Sequence, residues 1–304
     1  MFVIPDTFIR AMIALHGEEG SSWIARLPMI LATCEQEWKL KISPPFTNLS
    51  YNYVAPALRS DGTAVVVKAS SPTDEFAKET AVLQLFDGRG MVKLLEYDSD
   101  NQVMLLESLQ PGTPLSAVED DEKAISLVAT VMRQLWRPAP SEQIFPSVLD
   151  WGKGFARLRQ HYNGGSGPFP PTLLDEAERL FAELGASMSE LVLLHGDLHH
   201  DNILAARRQP WLAIDPKGVI GEPAYETGAL LRNPLPQLLQ RPHPGRILAR
   251  RVEQLAEELE LDRVRVRGWG VAQAVLSAWW CVEDFGWIGN DALTCAELLA
   301  AIKI

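Results

Sequence analysis

Apolar and polar residues alternate with two different periods along the chain, and the period changes near residue 43. Before that point, Trp23, Leu27, Ile30 and Trp38 recur at helical spacing, which predicts amphipathic helices over residues 5–16 and 21–40. From Ser43 to Leu109, short runs rich in β-branched and aromatic residues alternate with turn signals. This pattern predicts strands over 51–58, 64–69, 92–97 and 102–107, and one helix over 73–86.

A break at Pro111-Gly-Thr-Pro114 ends the strand-rich part, and helical spacing dominates beyond it. Two short apolar runs, Leu191–Leu194 and Trp211–Ile214, interrupt the helices, and each ends at a polar cluster. The predicted helices cover 120–137, 150–162, 173–188, 224–232, 246–260, 263–284 and 291–302. We therefore predict an α+β chain with a small β-rich lobe over 1–109 and a larger helical lobe over 110–304.

The net charge of the chain limits the kinds of molecule that it is expected to bind. The 304 residues include 28 Lys+Arg and 39 Asp+Glu, giving a formal net charge of −11, and the pI is near 5.1. Nucleic acid is an unsuitable main partner for such a chain because binding phosphates requires clustered cations. An acidic surface would instead suit a cationic small molecule.

Cysteine use and hydropathy indicate the compartment. Cys34, Cys281 and Cys295 are too few and too scattered for a disulfide framework or a zinc knuckle. No apolar run approaches the roughly eighteen residues needed to span a membrane, and the N-terminal segment lacks the basic region of a signal peptide. We expect a cytoplasmic protein without a membrane partner, and the oligomeric state is left open.

The densest polar cluster follows the apolar run at 191–194 and reads HGDLHHDNIL over residues 195–204. Asn202 follows Asp197 by five residues, and Asp215 follows Asn202 by thirteen. Kinases use this order of groups, in which a catalytic Asp accepts the hydroxyl proton and an Asn and a second Asp hold magnesium. The spacing therefore predicts phosphoryl transfer with Asp197 as catalytic residue and Asn202 and Asp215 as Mg²⁺ ligands.

A lysine in the small lobe completes this set. Lys68 ends the run VVVK, a buried-type strand, and this position favours a paired role over that of a solvated edge lysine. The downstream helix carries two candidate partners one turn apart, Glu75 and Glu79. A Lys–Glu pair of this kind positions the lysine for the α- and β-phosphates of a nucleotide.

These motifs together resemble a known family. HGDLHHDNIL is similar to the catalytic loop of the aminoglycoside phosphotransferases, the small-molecule branch of the eukaryotic-like kinase fold. IDPKGVIGEPAYE over 214–226 narrows the resemblance to the streptomycin 6-kinase and hydroxyurea-kinase type of antibiotic-resistance enzyme. VVVK, the segment MLLESLQPG over 104–112 and the N-terminal helical pair extend the resemblance over most of the chain.

The resemblance implies a bilobal protein-kinase-like fold and an ATP- and Mg²⁺-dependent O-phosphotransferase. The expected acceptor is an aminoglycoside such as streptomycin at its 6-hydroxyl, or a related antibiotic. It also implies that Glu79 is the partner of Lys68, and that the backbone of Glu107 and Leu109 contacts adenine beside Leu106.

One segment departs from the family pattern. The part expected to cover the nucleotide, Thr47–Tyr53, contains no glycine, whereas glycines normally let backbone amides approach the phosphates. Ser50 and Asn52 are the nucleotide contacts predicted in their place. The missing glycines favour an alternative, a non-catalytic nucleotide-binding scaffold of the same fold. A kinase for an unrelated metabolite is a second alternative. A protein kinase is disfavoured because Gly196 replaces the arginine of its catalytic loop.

The predicted substrate contacts are Glu222, Asp284 and Trp287, because carboxylates beside an aromatic ring suit a cationic, sugar-like acceptor. Asp284-Phe-Gly286 spells the magnesium motif of protein kinases but lies too far beyond Asn202 to serve as one. Lys217 is expected either to reach a phosphate or to pair with Glu222. A zinc site at His195 and His199 is disfavoured because no Glu follows the first histidine.

Overall fold

The chain divides into two compact units, residues 1–112 and 113–304, in a computed structural model that describes residues 2–71, 73–140 and 145–304. The division falls after residue 112, whereas the sequence places it after residue 109. The backbone approaches itself closely just before the boundary, because Gly112 has φ 75° and a Cβ added to it would lie 2.8 Å from the Leu109 carbonyl oxygen.

The N-terminal unit consists of a long helix and an antiparallel five-stranded sheet in the order β1-β2-β3-β5-β4. Helix α1 (Asp6–Glu37) is interrupted at Gly17, whose φ of 57° and ψ of −127° are not helical. The two predicted N-terminal helices correspond to its two segments. The other elements are β1 (Leu40–Ile42), β2 (Asn52–Arg59), β3 (Ala64–Ser70), α2 (Glu75–Phe86), β4 (Leu94–Asp98) and β5 (Val103–Glu107).

Alternation along β3 assigns its residues to two faces of the sheet. Val65 and Val67 are buried in one cluster with residues of α1 such as Trp23 and Leu31. Lys68 lies on the opposite face, paired in register with Val54 on β2 and Met104 on β5. The hydrophobic face of the sheet therefore packs on α1, and the other face presents a lysine.

The C-terminal unit is mainly helical and contains two small three-stranded sheets, β10-β9-β6 and β11-β8-β7. The strands are β6 (Pro111–Pro114), in which the unit boundary falls, β7 (Arg137–Pro138), β8 (Val192–Leu194), β9 (Ile203–Ala206), β10 (Trp211–Ala213) and β11 (Val219–Gly221). The helices are α3 (Asp121–Leu135), α4 (Val148–His161), α5 (Pro171–Ala186), α6 (Pro223–Leu231), α7 (Gln237–Gln240), α8 (Pro244–Leu259), α9 (Arg263–Phe285) and α10 (Asn290–Ala300).

Helix α9 is central to this unit, because it packs against α5, α6 and α10 and is buried along most of its length. Every helix predicted for this part is present, with bounds within about two residues of the prediction. The short helix α7 and strands β6, β7, β9 and β11 were not predicted. Within the described ranges, no helix combines the length and apolar character required to cross a bilayer.

Candidate active site

The first group of candidate residues lies in the N-terminal unit. The Nζ of Lys68 on β3 donates to both carboxylate oxygens of Glu79 on α2, each at 2.6 Å. The two residues are buried, with relative exposures of 5% and 6%. Burying an ammonium is costly unless a hydrogen-bonded opposite charge accompanies it. The predicted ion pair is therefore present, and it is buried.

The segment predicted to contact the phosphates is the tip of the hairpin that joins β1 and β2. The hairpin extends beyond the strands, since Ser43 N donates to Pro56 O at 2.8 Å and Phe46 N to Val54 O at 3.0 Å. Ser50 is exposed near the tip. Asn52 begins β2, and its side-chain oxygen accepts from Ser71 N at 3.3 Å. Backbone pairing and this side chain hold a glycine-free tip in place.

The predicted adenine-contacting segment begins at the end of β5. Glu107 is tied to Lys93 twice, because its N donates to the Lys93 carbonyl at 3.0 Å and its carboxylate accepts from Lys93 N at 3.0 Å. Leu106 is buried, and Leu109 is half-buried. The contacts with adenine remain a prediction.

The HGD segment of the C-terminal unit follows β8 directly, and its first residue braces it. His195 Nδ1 accepts from Asp197 N at 3.2 Å, and Nε2 lies 2.8 Å from the Ile214 carbonyl oxygen. A neutral ring protonated at Nε2 satisfies both bonds. Burial lowers the pKa of His195 to about 4, which agrees with a neutral ring. His195 therefore has a structural role in the loop.

Asp197, Asn202 and Asp215 are brought together by two hydrogen bonds. Asn202 Nδ2 donates to the Asp197 carbonyl at 2.9 Å, which orients the carboxamide. Ile214 N donates to the Asn202 carbonyl at 2.9 Å, which continues the pairing of β9 with β10 by one residue, so Asp215 directly follows the residue that is bonded to Asn202. Asp215 itself has φ 59°, in the left-handed region that Asp tolerates better than most residues. The predicted set thus converges locally within one unit.

The donor chemistry of this set fits magnesium. Carboxylate and carboxamide oxygens are hard ligands, and Mg²⁺ in phosphoryl-transfer sites uses one or two carboxylates together with phosphate oxygens. Zinc sites instead require several closely placed nitrogen or sulfur ligands. In the part of the chain that the structure describes, no group of three or more His, Cys, Asp or Glu side chains is placed to hold a metal ion.

The polar residues between Asp197 and Asn202 are hydrogen-bonded within the same unit. His199 accepts from Asp201 N through Nδ1 at 3.2 Å, and Ser116 Oγ donates to Asp201 Oδ1 at 2.5 Å.

Sequence reasoning missed a buried carboxylate that holds the HGD turn. Glu226 on α6 is 1% exposed and accepts from His195 N at 2.7 Å and from Gly196 N at 2.9 Å. Burial raises its pKa to about 7, and the two N–H donors act in the opposite direction. A signal was present, because α6 is apolar around its whole circumference and a lone acid in such a helix needs a buried partner.

A buried arginine beside Asp197 was also missed. Arg232 follows α6, its side chain is 9% exposed, and its Nη2 lies 3.7 Å from Asp197 Oδ1. Its Nη1 donates to Gln273 Oε1 at 2.6 Å. Burial lowers the pKa of Arg232, and the charge of Asp197 opposes that effect. Apart from its position after a buried helix, no motif or spacing in the sequence indicates a functional role for Arg232.

The structure corrects one predicted substrate contact. Glu222 is buried, and its carboxylate accepts from Arg265 Nη2 at 2.7 Å, from Arg265 Nε at 3.0 Å and from Trp269 Nε1. These donors neutralise and enclose the carboxylate, so Glu222 has a structural role and is not available to a substrate. Lys217 contributes its backbone N–H to the His195 carbonyl at 2.8 Å.

The other predicted substrate contacts lie on the surface at the end of α9. Asp284 is exposed, and Trp287 is 59% exposed and stacked on Phe285 with a centroid distance of 5.8 Å. Glu283 is also exposed, and its carboxylate accepts from Arg157 at 2.6 and 3.0 Å, whereas Trp279 is buried. Of the three predicted substrate contacts, Asp284 and Trp287 are therefore exposed, and Glu222 is buried.

A lysine–carboxylate pair on β3 and α2 of a five-stranded unit, and an Asp-Asn-Asp set in a helical unit, define a kinase of the protein-kinase-like fold. Solved structures confirm this predicted fold class. Choline kinase LicA from Streptococcus pneumoniae superposes with a TM-score of 0.64 at 14% identity, over 90% of this chain and 99% of that chain. A thermostable mutant of aminoglycoside phosphotransferase APH(4)-Ia, in a ternary complex with ADP and hygromycin B, gives 0.62 at 16% identity, over 89% and 96%.

Sequence comparison identifies the family. The streptomycin 6-kinase of Streptomyces griseus is 33% identical over 98% of this chain and 97% of its own length. The hydroxyurea phosphotransferase of Kitasatospora aureofaciens is 31% identical over 98% and 84%. A family model described as "Aminoglycoside/hydroxyurea antibiotic resistance kinase" matches residues 41–285. The chain belongs to this family of phosphotransferases, as its motifs predict.

Proposed function

We propose that this enzyme transfers the γ-phosphoryl group of ATP to a hydroxyl of a small molecule, with an aminoglycoside such as streptomycin, at its 6-hydroxyl, as acceptor. The observation that carries the reaction is the complete set of kinase groups: Lys68 paired with Glu79, and Asp197, Asn202 and Asp215 joined through one hydrogen-bonded loop. The streptomycin 6-kinases among the full-length relatives support the acceptor.

In the proposed mechanism, Asp197 accepts the proton of the acceptor hydroxyl as the oxygen attacks the γ-phosphorus. Lys68, aligned by Glu79, pairs with the α- and β-phosphates. Asn202 and Asp215 would hold Mg²⁺, which neutralises phosphate charge when bound. Positioning and charge neutralisation supply most of the acceleration, because the protein forms no covalent intermediate.

The nucleotide contacts follow from the same assignment. The backbone of Glu107 and Leu109 would bond the adenine, with Leu106 lining its pocket, and Ser50 and Asn52 would lie over the phosphates. Solved structures of similar fold include complexes of aminoglycoside phosphotransferase APH(4)-Ia with ADP and with AMP-PNP, which supports ATP as phosphoryl donor. The cytoplasm, which supplies ATP and keeps thiols reduced, suits an enzyme in which Cys34, Cys281 and Cys295 are all free.

Charge supports a cationic acceptor. The chain carries a net charge of −11, and the exposed carboxylate of Asp284 and the exposed ring of Trp287 lie three residues apart in the sequence. Such a surface attracts an ammonium or guanidinium group by charge and by cation–π contact. Hydroxyurea, which is neutral, would gain little from it.

The reaction is tested by an acceptor-dependent ATP-consumption assay across streptomycin, other aminoglycosides and hydroxyurea, with ³¹P NMR to locate the phosphorylated hydroxyl. Asp197→Ala is the control: it is expected to abolish transfer and to keep the thermal stabilisation by Mg-ATP. Normal turnover in that variant would contradict the role of Asp197.

A second candidate function is a non-catalytic nucleotide-binding scaffold, and the glycine-free hairpin tip at 47–53 favours it. The same assays separate the two. Stabilisation by Mg-ATP of about 2.7 kcal/mol at one hundred times Kd, with no consumption of ATP for any acceptor, would support the scaffold. Acceptor-dependent release of ADP would exclude it.

A further inference from the structure

A side-chain nitrogen lies near each carboxylate oxygen of Asp197. His199 Nε2 lies 3.7 Å from Oδ2, and Arg232 Nη2 lies 3.7 Å from Oδ1. The Asp197 side chain is 31% exposed, whereas that of Arg232 is 9% exposed. The guanidinium therefore faces the carboxylate from the interior of the helical unit. A separation of 3.7 Å is too long for a hydrogen bond, so the interaction is one between charges.

The guanidinium is held by elements outside the catalytic loop. Gln273 on α9 is 1% exposed, and its Oε1 accepts from Arg232 Nη1 at 2.6 Å. Gly228 on α6 leaves the space that this carboxamide fills, because a Cβ added to Gly228 would overlap Gln273 Oε1. The close packing of α6 on α9 thus fixes the carboxamide, and the carboxamide fixes the guanidinium.

We propose that Arg232, held by Gln273, is a positioning residue that sets the orientation of the Asp197 carboxylate and stabilises its negative charge. The inference rests on the proposed role of Asp197 as acceptor of the hydroxyl proton. A carboxylate free to rotate about its Cβ–Cγ bond would spend part of its time misaligned, and a misplacement of about 1 Å can cost roughly 100-fold in rate. The guanidinium restricts that rotation from the buried side of the carboxylate.

The test compares steady-state kinetics of three variants with the wild-type enzyme. Arg232→Gln removes the charge and is expected to lower kcat about 100-fold, while KM for ATP stays within about twofold because Arg232 acts only through Asp197. Arg232→Lys keeps a charge on a differently shaped group and should recover part of the loss. Gln273→Glu keeps the arginine paired but draws its charge away from Asp197, so kcat should also fall.

A matched control separates positioning from general loss of packing. Arg265→Gln breaks the ion pair with Glu222 elsewhere in the same unit, and should lower Tm while leaving kcat of the folded enzyme within about twofold. Each variant is checked for thermal stabilisation by Mg-ATP, so that an unfolded protein is recognised. Arg232→Lys and Gln273→Glu keep the test decisive if Arg232→Gln does not fold.

Coupling to Asp197 is tested in the double variant. In an Asp197→Asn background, Arg232→Gln should cause no further loss of the residual rate, because the carboxylate through which Arg232 acts is no longer present. Independent, multiplicative losses would overturn the inference, as would values of kcat within twofold of wild type for the Arg232 variants. If Asp197→Asn alone turned over normally, the proposed role of Asp197, on which the inference rests, would fail. If the wild-type enzyme released no ADP with any acceptor, the proposed function itself would fail, and this outcome is distinct from a failure of the inference.

Discussion

The buried pair of Lys68 and Glu79 leads to a quantitative prediction for Glu79→Ala. This substitution removes the carboxylate that both 2.6 Å contacts reach, and it leaves the ammonium inside a sheet where the lysine side chain is only 6% exposed. Breaking a buried pair by deleting one partner costs about 3–5 kcal/mol. For a chain of 304 residues, that corresponds to a fall in Tm of about 5–8 °C.

The assay is urea and thermal unfolding followed by circular dichroism, with a control pair of similar length on the surface. Arg179 Nη1 and Glu183 Oε2 are also close, at 2.7 Å, but their side chains are 56% and 59% exposed. Because solvent screens an exposed pair, Glu183→Ala is expected to change the free energy of unfolding by less than about 0.5 kcal/mol. A loss in Glu79→Ala no larger than in this control would refute the reasoning.

A double variant separates stability from function. Lys68→Met with Glu79→Leu replaces both charges by apolar groups, which removes the desolvation penalty and is expected to restore most of the lost stability. The same protein should no longer be stabilised by Mg-ATP, because the proposed phosphate contact is gone. Recovery of nucleotide binding along with stability would contradict the proposed role of Lys68.

Three further predictions concern the C-terminal unit. Gly196→Ala should lower both kcat and Tm, because φ is 88° and the added Cβ would lie 2.7 Å from the Trp151 ring; unchanged kinetics would contradict this. His195 is kept neutral by burial, with a pKa of about 4 below the unfolded value near 6.5, so its contribution to stability is complete above pH 6.5 and is lost towards pH 4. Urea unfolding should therefore show the stability advantage of wild type over His195→Gln shrinking across that range, by about 3 kcal/mol. Asp284→Asn and Trp287→Ala should raise KM for a cationic acceptor about two- to fivefold and leave KM for ATP unchanged; equal effects on both constants would exclude a substrate contact.

The sequence by itself determined the elements and the chemistry that depend on short-range spacing. The helical period beyond residue 114 predicted the long helices, because a period of 3.6 residues repeats several times within each one. Asp197 and Asn202 are only five residues apart, so their spacing indicated a kinase-type catalytic loop before the fold was known. The strand lysine was likewise identified, but the spacing left both Glu75 and Glu79 as possible partners, and only the family resemblance selected Glu79.

Only the tertiary structure decided the contacts between residues far apart in the chain. Strands of two to four residues such as β7 and β11 are too short for a periodic signal, and their partners become known only once the chain has folded. Glu222 carries the same carboxylate whether it faces a substrate or Arg265, and the packing of α9 selected Arg265. The packing of the helices likewise places Arg232 and Glu226 at the HGD turn. A charge can be held inside a protein only where the fold delivers a partner, and that partner is set by the packing of helices rather than by sequence spacing.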